Sequence, residues 1–546
     1  MSRRAADVLV AQLVLHGADT AFCVPGESYI ALLDALRDAP IRLVTCRHEA
    51  AAANMADAYG KLTGRPGICI VTRGPGATHA SVGVHTAFQD STPLILLIGQ
   101  VASDQVEREA FQEIDYRRMF GQMAKWVAQI DRADRIPEYL AHAFATACAG
   151  RPGPVVLALP EDLLSIETDA SDARPFHAVQ PHPAPEQIAR VHELLAAAER
   201  PLAIVGGAGW TSRASEDLRV FLETNELPAG AAFRRQDALD NDSPSYVGDV
   251  GIGLNPKLAA RVREADVVLA VDPRLGETTT SGYSLLRPPV PEQTLIHVHP
   301  GAEELGRVYR PELAILSGPE PFAAAVRDLR VEPRWREWTR AARADYEKWQ
   351  QPTTVPGDLD LAVCLRHLHD RLPRDAIVTN GAGNYTVWVH RFWRWHAFPS
   401  QLAPTSGAMG YGLPAALTAK LLQPERAAVC VSGDGDFLMS GQELATAVQY
   451  ELPILVLVVD NGMYGTIRMH QERNFPGRVV GTDLVNPDFA AYARAFGAFG
   501  ETVTRTEDFA DALDRALAAG VPALLALSVD PEAITPRTTI AALRAG

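Results

Sequence analysis

The fold is decided by residues 427–467, AAVCVSGDGDFLMSGQELATAVQYELPILVLVVDNGMYGTI. This stretch predicts a strand, a helix and a second strand, at Ala428–Val431, about 442–450 and Ile454–Val459. Strand–helix–strand units of this kind are almost always right-handed and have parallel strands. Asp434 and Asn461, which follow the two strands, are therefore predicted to lie at the same carboxyl edge of one sheet. That edge is where open α/β sheets bind their ligands.

The two loops at this edge carry side chains with oxygen ligands, and glycines flank one of them. Asp434 offers a carboxylate and Asn461 an amide oxygen, and these are donors that Mg²⁺ accepts together with phosphate oxygens and water. Gly433 and Gly435 have no side chains that would keep a bulky anion away from the main chain. A turn and a strand end of this composition are common for purely structural reasons, but their joint placement favours a site for a magnesium-bound diphosphate.

The sequence pattern predicts the same α/β architecture in three parts of the chain, including the one that contains residues 427–467. Short β-branched runs alternate with amphipathic helices, which indicates parallel sheets covered by helices. A Pro-rich stretch at 174–185 and a Pro-broken helix at 335–356 interrupt this pattern. The predicted fold class is therefore α/β with three doubly wound parallel-sheet domains, at residues 1–170, 186–330 and 357–546.

Composition excludes several functional classes. The formal net charge is −15 and no Lys/Arg block stands out, so nucleic acid is not an expected partner. No apolar run approaches the roughly 20 residues that cross a bilayer, and the N-terminus lacks a signal-peptide pattern. The six cysteines are far apart and lie in apolar contexts, which predicts reduced core thiols. We expect a cytoplasmic protein without a membrane segment.

Gly433-Asp434-Gly435 followed by Asp460-Asn461 resembles the motif of thiamine diphosphate-dependent enzymes, which begins GDG and closes with NN. Asp460 stands in place of the first Asn, at a position that the family does not use as a metal ligand. Further motifs occur in the order seen in large catalytic subunits of acetolactate synthase: Pro25-Gly26-Glu27-Ser28, Arg47-His48-Glu49-Ala50-Ala51, Thr72-Arg73-Gly74-Pro75-Gly76-Ala77-Thr78, Ala110-Phe111-Gln112-Glu113, Asn380-Gly381-Ala382-Gly383-Asn384 and Gly407-Ala408-Met409-Gly410.

The resemblance implies a pyrimidine-binding N-terminal domain, a middle domain and a C-terminal domain that binds the diphosphate. It implies that Mg²⁺ is held by Asp434, Asn461 and the main-chain carbonyl of Met463. It also implies that Met409 keeps the cofactor bent, although a gap-filling core Met is the alternative. The remaining expected cofactor contacts are Glu49, Gly26, Gly383, Asn384, Gly407, Gly433, Gly435 and Asp436.

Glu49 is the residue expected to activate the cofactor. It opens an Ala-rich helix, and apolar surroundings would favour the protonated form of its carboxyl group. In the family, the matching Glu hydrogen-bonds N1′ of the aminopyrimidine and promotes its imino tautomer, so Glu49 is expected to act as a general acid/base. A surface Glu on the first turn of a helix is the structural alternative.

By the same resemblance, Phe111, Gln112 and Glu27 face the substrate. His470 stands where the synthase pattern has a Trp that shapes preference for the second 2-oxo acid, so the identity of the acceptor substrate is left open. The structural alternative for His470 is an exposed His on a helix. No adjacent His pair occurs between residues 105 and 125, where pyruvate decarboxylase-like chains carry one. The turn Gly206-Gly207-Ala208-Gly209 is not GxGxxG, so FAD is possible but unsupported by a motif.

The expected activity is that of acetolactate synthase: decarboxylation of a 2-oxo acid such as pyruvate, then carboligation to an acceptor carbonyl. The alternatives are a 2-oxo acid decarboxylase or a lyase of 2-hydroxyacyl- or oxalyl-coenzyme A in the same family, and a catalytically silent structural paralogue. The paralogue would be expected to lack Glu49 or Asp434, and both are present. Because the family brings these two residues together from different subunits, a homodimer or homotetramer with active sites at the subunit interface is expected.

Overall fold

The computed structural model describes residues 2–545, which form two compact units that meet in sequence between Val179 and Gln180. The boundary between the units falls inside the Pro-rich stretch at 174–185, where the chain has no helix or strand until Pro185. Each unit is built from six-stranded parallel sheets with helices, one sheet in the first unit and two in the second. The predicted α/β class with three parallel sheets is therefore confirmed.

The first unit has one sheet with strand order β3-β2-β4-β5-β7-β6, and a short antiparallel pair, β1-β8. Its strands are β1 Arg3–Arg4, β2 Thr20–Cys23, β3 Arg42–Thr45, β4 Gly67–Val71, β5 Leu94–Gln100, β6 Trp126–Gln129, β7 Pro154–Pro160 and β8 Glu167–Thr168. Its helices are α1 Ala5–Leu15, α2 Ile30–Leu36, α3 Glu49–Thr63, α4 Pro75–Asp90, α5 Tyr116–Phe120 and α6 Ile136–Cys148.

The second unit begins with a sheet of order β11-β10-β9-β12-β13-β14. Its strands are β9 Leu202–Val205, β10 Ala229–Ala232, β11 Tyr246–Val250, β12 Val267–Val271, β13 Thr294–His299 and β14 Leu313–Leu316. The helices of this region are α7 Pro185–Ala196, α8 Ser212–Thr224, α9 Pro256–Glu264, α10 Pro319–Val326 and α11 Arg336–Trp349.

The C-terminal sheet of the second unit has order β16-β15-β17-β18-β20-β19. Its strands are β15 Ile377–Asn380, β16 Gln401–Leu402, β17 Ala428–Gly433, β18 Leu455–Asp460, β19 Phe499–Val503 and β20 Ala523–Ser528. Its helices are α12 Leu361–Arg371, α13 Tyr385–Phe392, α14 Gly412–Leu422, α15 Asp434–Phe437, α16 Leu444–Gln449, α17 Gly465–Asn474, α18 Phe489–Ala495, α19 Phe509–Ala518 and α20 Ile540–Ala545.

Each sheet contains a switch point, where the chain changes the side of the sheet to which it adds strands and a crevice opens at the carboxyl ends of two neighbouring strands. The switch points lie between β2 and β4, between β9 and β12, and between β15 and β17. Such switch points are the preferred ligand sites of open α/β sheets, because the loops that leave the two strands diverge there. The fold therefore offers three crevices, and the GDG motif lies at the third.

The cysteines are core residues, as predicted. All six are free thiols, five of them buried and Cys148 half-buried. Burial raises the pKa of the Cys23 thiol to about 11 and that of Cys148 to about 12, because a thiolate would be desolvated there. None of the helices within residues 2–545 is long and apolar enough to cross a membrane.

Candidate active site

A cavity of about 280 Å³ opens at the switch point of the C-terminal sheet. Loops that follow β15, β17 and β18 line one side, and apolar side chains close the other. Eight of the residues that the sequence analysis assigned to the cofactor or metal line this cavity: Gly383, Asn384, Gly407, Met409, Gly433, Gly435, Asp436 and Met463. Asp434 and Asn461, the two side chains expected to bind the metal, line it as well.

The register of β17 against β18 accounts for the meeting of these two residues. Gly433 pairs with Val459, so the chain leaves both strands at the same level, and Asp434 and Asn461 follow within two residues. Here the structure agrees with the geometry expected for a right-handed parallel unit. The predicted helix between the strands is shorter than expected, because Gly441–Glu443 forms a 3₁₀ turn before α16 begins at Leu444.

The Asp434 carboxylate is buried beside a second acid. Asn486 donates its amide N–H groups to Asp434 Oδ2 and to Asp460 Oδ1, at 2.8 Å each. Burial raises the pKa of Asp434, and the charge of Asp460 raises it further. Within residues 2–545, no basic side chain forms an ion pair with either acid. The Asp434 carboxylate and the Asn461 amide oxygen line the same cavity, and oxygen donors of these two kinds fit a divalent cation.

The loop after β18 is held rigidly in place. Asn461 Oδ1 accepts the main-chain N–H of Met463 at 3.2 Å, which closes a tight turn over Gly462. Met463 forms an antiparallel bridge with Asp483, and the N–H of Tyr464 donates to the carbonyl of Thr482. The main chain of Met463 therefore lies at a fixed position on the cavity wall, as a carbonyl ligand requires.

The glycines of the motif are required by close packing around the cavity. A Cβ on Gly435 would lie 2.6 Å from the ring of Tyr464, and one on Gly433 would lie 3.0 Å from the ring of Tyr385. Gly383 has φ of +153°, a conformation that L side chains rarely adopt. The bare main chain at these positions leaves room for a diphosphate, so the residues present fit the expected cofactor.

The side chain of Asp436 connects the loops around the cavity. Its buried carboxylate accepts hydrogen bonds from Tyr385 Oη at 2.6 Å, from the N–H of Gly410 at 2.6 Å and from Ser432 Oγ. A carboxylate engaged in this way holds three loops together and has no hydrogen to donate to a diphosphate. Only the main chain of Asp436 remains available to a ligand.

Asn384 connects the cavity to the C-terminal segment. Its amide donates to the carbonyl of Ile534 at 3.0 Å, and its Oδ1 accepts from Thr466 Oγ1 at 3.0 Å.

Met409 lies two residues after Gly407, whose φ is +72°, and Met409 lines the same cavity. His470 is exposed on α17, as the structural alternative predicts, and it makes no described hydrogen bond within residues 2–545.

In the first unit, Glu49 opens α3 directly beside α4. Its side chain is 12% exposed, and its Oε2 lies 2.9 Å from His79 Nδ1. The other oxygen, Oε1, faces Gly76, where a Cβ would be 3.4 Å away. The expectation of a wholly apolar environment is therefore wrong. His79 was missed in the sequence because its contact with Glu49 arises from helix packing, not from a motif.

The loop that carries Phe111 and Gln112 rests on the turn before α4. Gln112 has φ of +66°, and a Cβ on Gly74 would lie 2.8 Å from the Cβ of Gln112. Arg73 Nε donates to the carbonyl of Phe111 at 3.2 Å, while Arg73 is paired with Glu161 at 2.7 Å. The Phe111 side chain is 71% exposed.

Gly26 lies at the switch point of the same sheet. A Cβ on Gly26 would approach the Cβ of Thr72 to 2.5 Å, so the loops after β2 and β4 touch there. The next residue, Glu27, has an exposed carboxylate 3.7 Å from Arg73. Gly26, Glu27, Phe111 and Gln112 are therefore gathered around the turn at Arg73 and Gly74.

The glycine turn at the switch point of the middle sheet packs against a buried acid. The turn after β9 contains Gly207, with φ of +83°, and a Cβ there would lie 2.6 Å from Asp272 Oδ2. Asp272 is buried, and this oxygen has no hydrogen-bond partner within residues 2–545. Burial raises the pKa of Asp272 well above its usual range. A buried acid over the glycine turn does not fit the pyrophosphate of FAD.

Comparisons with known proteins agree with this geometry. Models of thiamine pyrophosphate enzymes match the chain in three parts: the N-terminal TPP binding domain at residues 3–119, the central domain at 188–326 and the C-terminal TPP binding domain at 381–527. The chain is 33% identical to the acetolactate synthase isozyme 2 large subunit of Escherichia coli (strain K12), over 95% of each chain.

Two further relatives show that the likeness extends over the whole chain. The acetolactate synthase large subunit of Parasynechococcus marenigrum is 32% identical, over 96% of this chain and 87% of the relative. The probable acetolactate synthase large subunit of Methanocaldococcus jannaschii is 30% identical, over 98% of this chain and 93% of the relative.

Proposed function

Because the chain belongs to the thiamine pyrophosphate enzyme family, we propose that it decarboxylates a 2-oxo acid such as pyruvate and joins the remaining fragment to an acceptor carbonyl. The observation that carries this proposal is the single cavity in which Asp434, Asn461 and Met463 meet at the switch point of the C-terminal sheet. The full-length similarity to acetolactate synthase large subunits supports carboligation over simple decarboxylation.

In the proposed mechanism, each group of residues has a distinct task. When bound, thiamine diphosphate supplies the nucleophilic carbon and the electron sink for decarboxylation. Asp434, Asn461 and the Met463 carbonyl offer oxygen ligands to Mg²⁺, and the glycine turns let main-chain N–H groups approach the diphosphate. Glu49 would hold and transfer a proton at its carboxyl group, which is the task that cofactor activation requires.

The substrate would meet the loop that carries Phe111 and Gln112. The exposed ring of Phe111 can cover a bound 2-oxo acid and exclude water from it, which strengthens polar interactions in the site. Gln112 offers an amide that can donate to a carboxylate or carbonyl oxygen of the substrate. The strained backbone of Gln112 and the hydrogen bond from Arg73 to Phe111 would keep this loop in position.

We propose an assembly of at least two copies. Glu49 belongs to one compact unit and Asp434 to the other, and the family brings the matching residues of two subunits to one cofactor. A homodimer would complete two active sites, and a homotetramer four. Isologous dimers are the commonest closed assemblies of soluble proteins.

The products formed from pyruvate test the proposed reaction. We expect purified protein with thiamine diphosphate, Mg²⁺ and pyruvate to form acetolactate and CO₂, with little free acetaldehyde, because carboligation retains the two-carbon fragment. Chromatography of the products measures the ratio of acetolactate to acetaldehyde. Acetaldehyde as the main product would replace the carboligase proposal by a decarboxylase. If the protein does not turn over pyruvate but turns over another 2-oxo acid in a panel, that acid replaces pyruvate as the proposed donor substrate.

We also expect the protein to bind no flavin. Asp272 contacts the glycine turn of the middle sheet, where a pyrophosphate of FAD would be expected to bind, and the turn does not have the GxGxxG pattern. The purified protein should lack the visible absorbance of oxidised flavin, and added FAD should not raise the rate of pyruvate turnover. A stoichiometric flavin spectrum after purification would contradict this prediction. Asp272→Gly, which removes the covering acid, provides a matched variant in which gain of FAD binding can be measured.

A further inference from the structure

We propose that His79 is a positioning residue that holds Glu49 in its reactive orientation. This inference rests on the proposed function, because it assigns the task of orienting a side chain that the proposed function treats as the proton-transfer group. It is carried by a hydrogen bond, a ring contact and the packing of two helices. No motif in the sequence points to His79.

Helix packing brings the two side chains together. A Cβ on Gly83 of α4 would clash with the Cβ of Ala53 in α3, so the two helices are in close contact at this point. Glu49 and His79 each lie four residues, about one turn, before these contact residues, and therefore on the same faces of the two helices. The missing side chain of Gly83 is what lets α3 and α4 approach closely enough for Glu49 and His79 to meet.

The hydrogen bond restrains one oxygen of the carboxyl group and leaves the other free. His79 Nδ1 lies 2.9 Å from Glu49 Oε2 and can donate its N–H to that oxygen. Oε1 lies against Gly76, in the first turn of α4, where a Cβ would be 3.4 Å from it. The Glu49 side chain is mostly buried, and His79 is half exposed. Oε1 is therefore the oxygen that a cofactor can reach.

His48 fixes the orientation of the His79 ring. The two rings stack with centroids 4.5 Å apart. His48 Nδ1 accepts the N–H of Ala50 at 3.1 Å, so in the neutral ring the proton is on Nε2. Burial lowers the pKa of His48, and the nearby His79 lowers it further. His48 thus remains a neutral ring on which His79 rests, and the Nδ1 of His79 stays directed at Glu49.

Two substitutions separate the hydrogen bond from the ring contact. His79→Asn keeps an N–H donor near the position of Nδ1 but removes the ring. His79→Phe keeps a ring that can stack on His48 but removes the donor. The readout is the rate at which the C2 proton of bound thiamine diphosphate exchanges with deuterium, measured by quenched-flow NMR. Thiamine diphosphate affinity and circular dichroism check that each variant binds the cofactor and folds.

We expect exchange in His79→Asn to stay within about threefold of the wild-type rate. We expect His79→Phe to slow exchange by about 10- to 100-fold, the size expected for the loss of a hydrogen bond to a charged group. If His79→Phe does not fold, His79→Ala serves as the variant without a donor. Wild-type exchange in the variant without a donor, or slow exchange in His79→Asn alone, would overturn the proposal.

Glu49→Gln distinguishes a failure of this inference from a failure of the proposed function. If Glu49→Gln slows exchange and the donor-free His79 variant does not, Glu49 acts without help from His79 and only the present inference fails. If Glu49→Gln exchanges at the wild-type rate, the proton-transfer role of Glu49 itself is wrong, and both assignments fall. Slow exchange in both variants supports both.

Discussion

Glu49→Gln is expected to lower kcat by about 10²- to 10⁴-fold, the contribution typical of a positioned general acid/base. The Gln side chain has nearly the same shape as Glu and can still accept a hydrogen bond from His79, so the packing of α3 on α4 should not change. It cannot give up or take up a proton at the oxygen beside Gly76. Steady-state kinetics with pyruvate, together with the affinity for thiamine diphosphate, measures the effect.

The matched control is Glu138→Gln, the same substitution on α6. Glu138 is 64% exposed and pairs with Arg135 on the same helical segment, so its loss should change neither kcat nor cofactor affinity. A drop in kcat confined to Glu49→Gln, with cofactor affinity within a few fold of wild type, identifies a chemical role. Equal activity of Glu49→Gln and wild type would remove Glu49 from the mechanism.

The sequence was sufficient to predict the fold because its strongest signals are local. The runs around Val267–Val271 and Ile454–Val459 are apolar throughout, as strands buried on both faces must be, and both form central strands. The GDG turn and the Asn after the next strand could be placed at one edge, since the handedness of a parallel unit leaves little choice. The aromatic run at 388–395 belongs to the same core: Trp388, Phe392, Trp393 and Trp395 are buried in the cluster of the C-terminal sheet.

What the sequence did not predict depends on contacts between distant segments. Asn486 lies 52 residues beyond Asp434, in a stretch without regular structure, and nothing in its surroundings indicates that it binds two acids. The hydrogen bonds of the Asp436 carboxylate were not foreseen for a similar reason, because its partners Tyr385 and Gly410 come from other loops. Asp272 and Gly207 meet only once the middle sheet has formed. These contacts require the folded geometry.

Asp434→Ala is expected to weaken Mg²⁺-dependent binding of thiamine diphosphate by more than about 100-fold and to abolish turnover at ordinary cofactor concentrations. Loss of groups that merely support a metal ligand costs about 10- to 100-fold in affinity, and the loss of a charged ligand should cost more. Calorimetric titration with thiamine diphosphate in the presence of Mg²⁺ measures the change. Trp388 lines the same cavity, so its fluorescence offers a second readout.

Asp460→Asn is the control that tests whether Asp460 binds the metal ion or only lies beside the proposed metal ligand Asp434. Its amide oxygen can still accept the hydrogen bond from Asn486, while one negative charge beside Asp434 is removed. Because Asn461, and not Asp460, is proposed to bind the metal, cofactor affinity should change by less than about tenfold, below the cost of losing a ligand. If Asp460→Asn lost binding while Asp434→Ala kept it, the cation would belong to Asp460. Comparable losses in both variants would mean that the two carboxylates share the ion, and the proposed donor set would then need Asp460 as a fourth member.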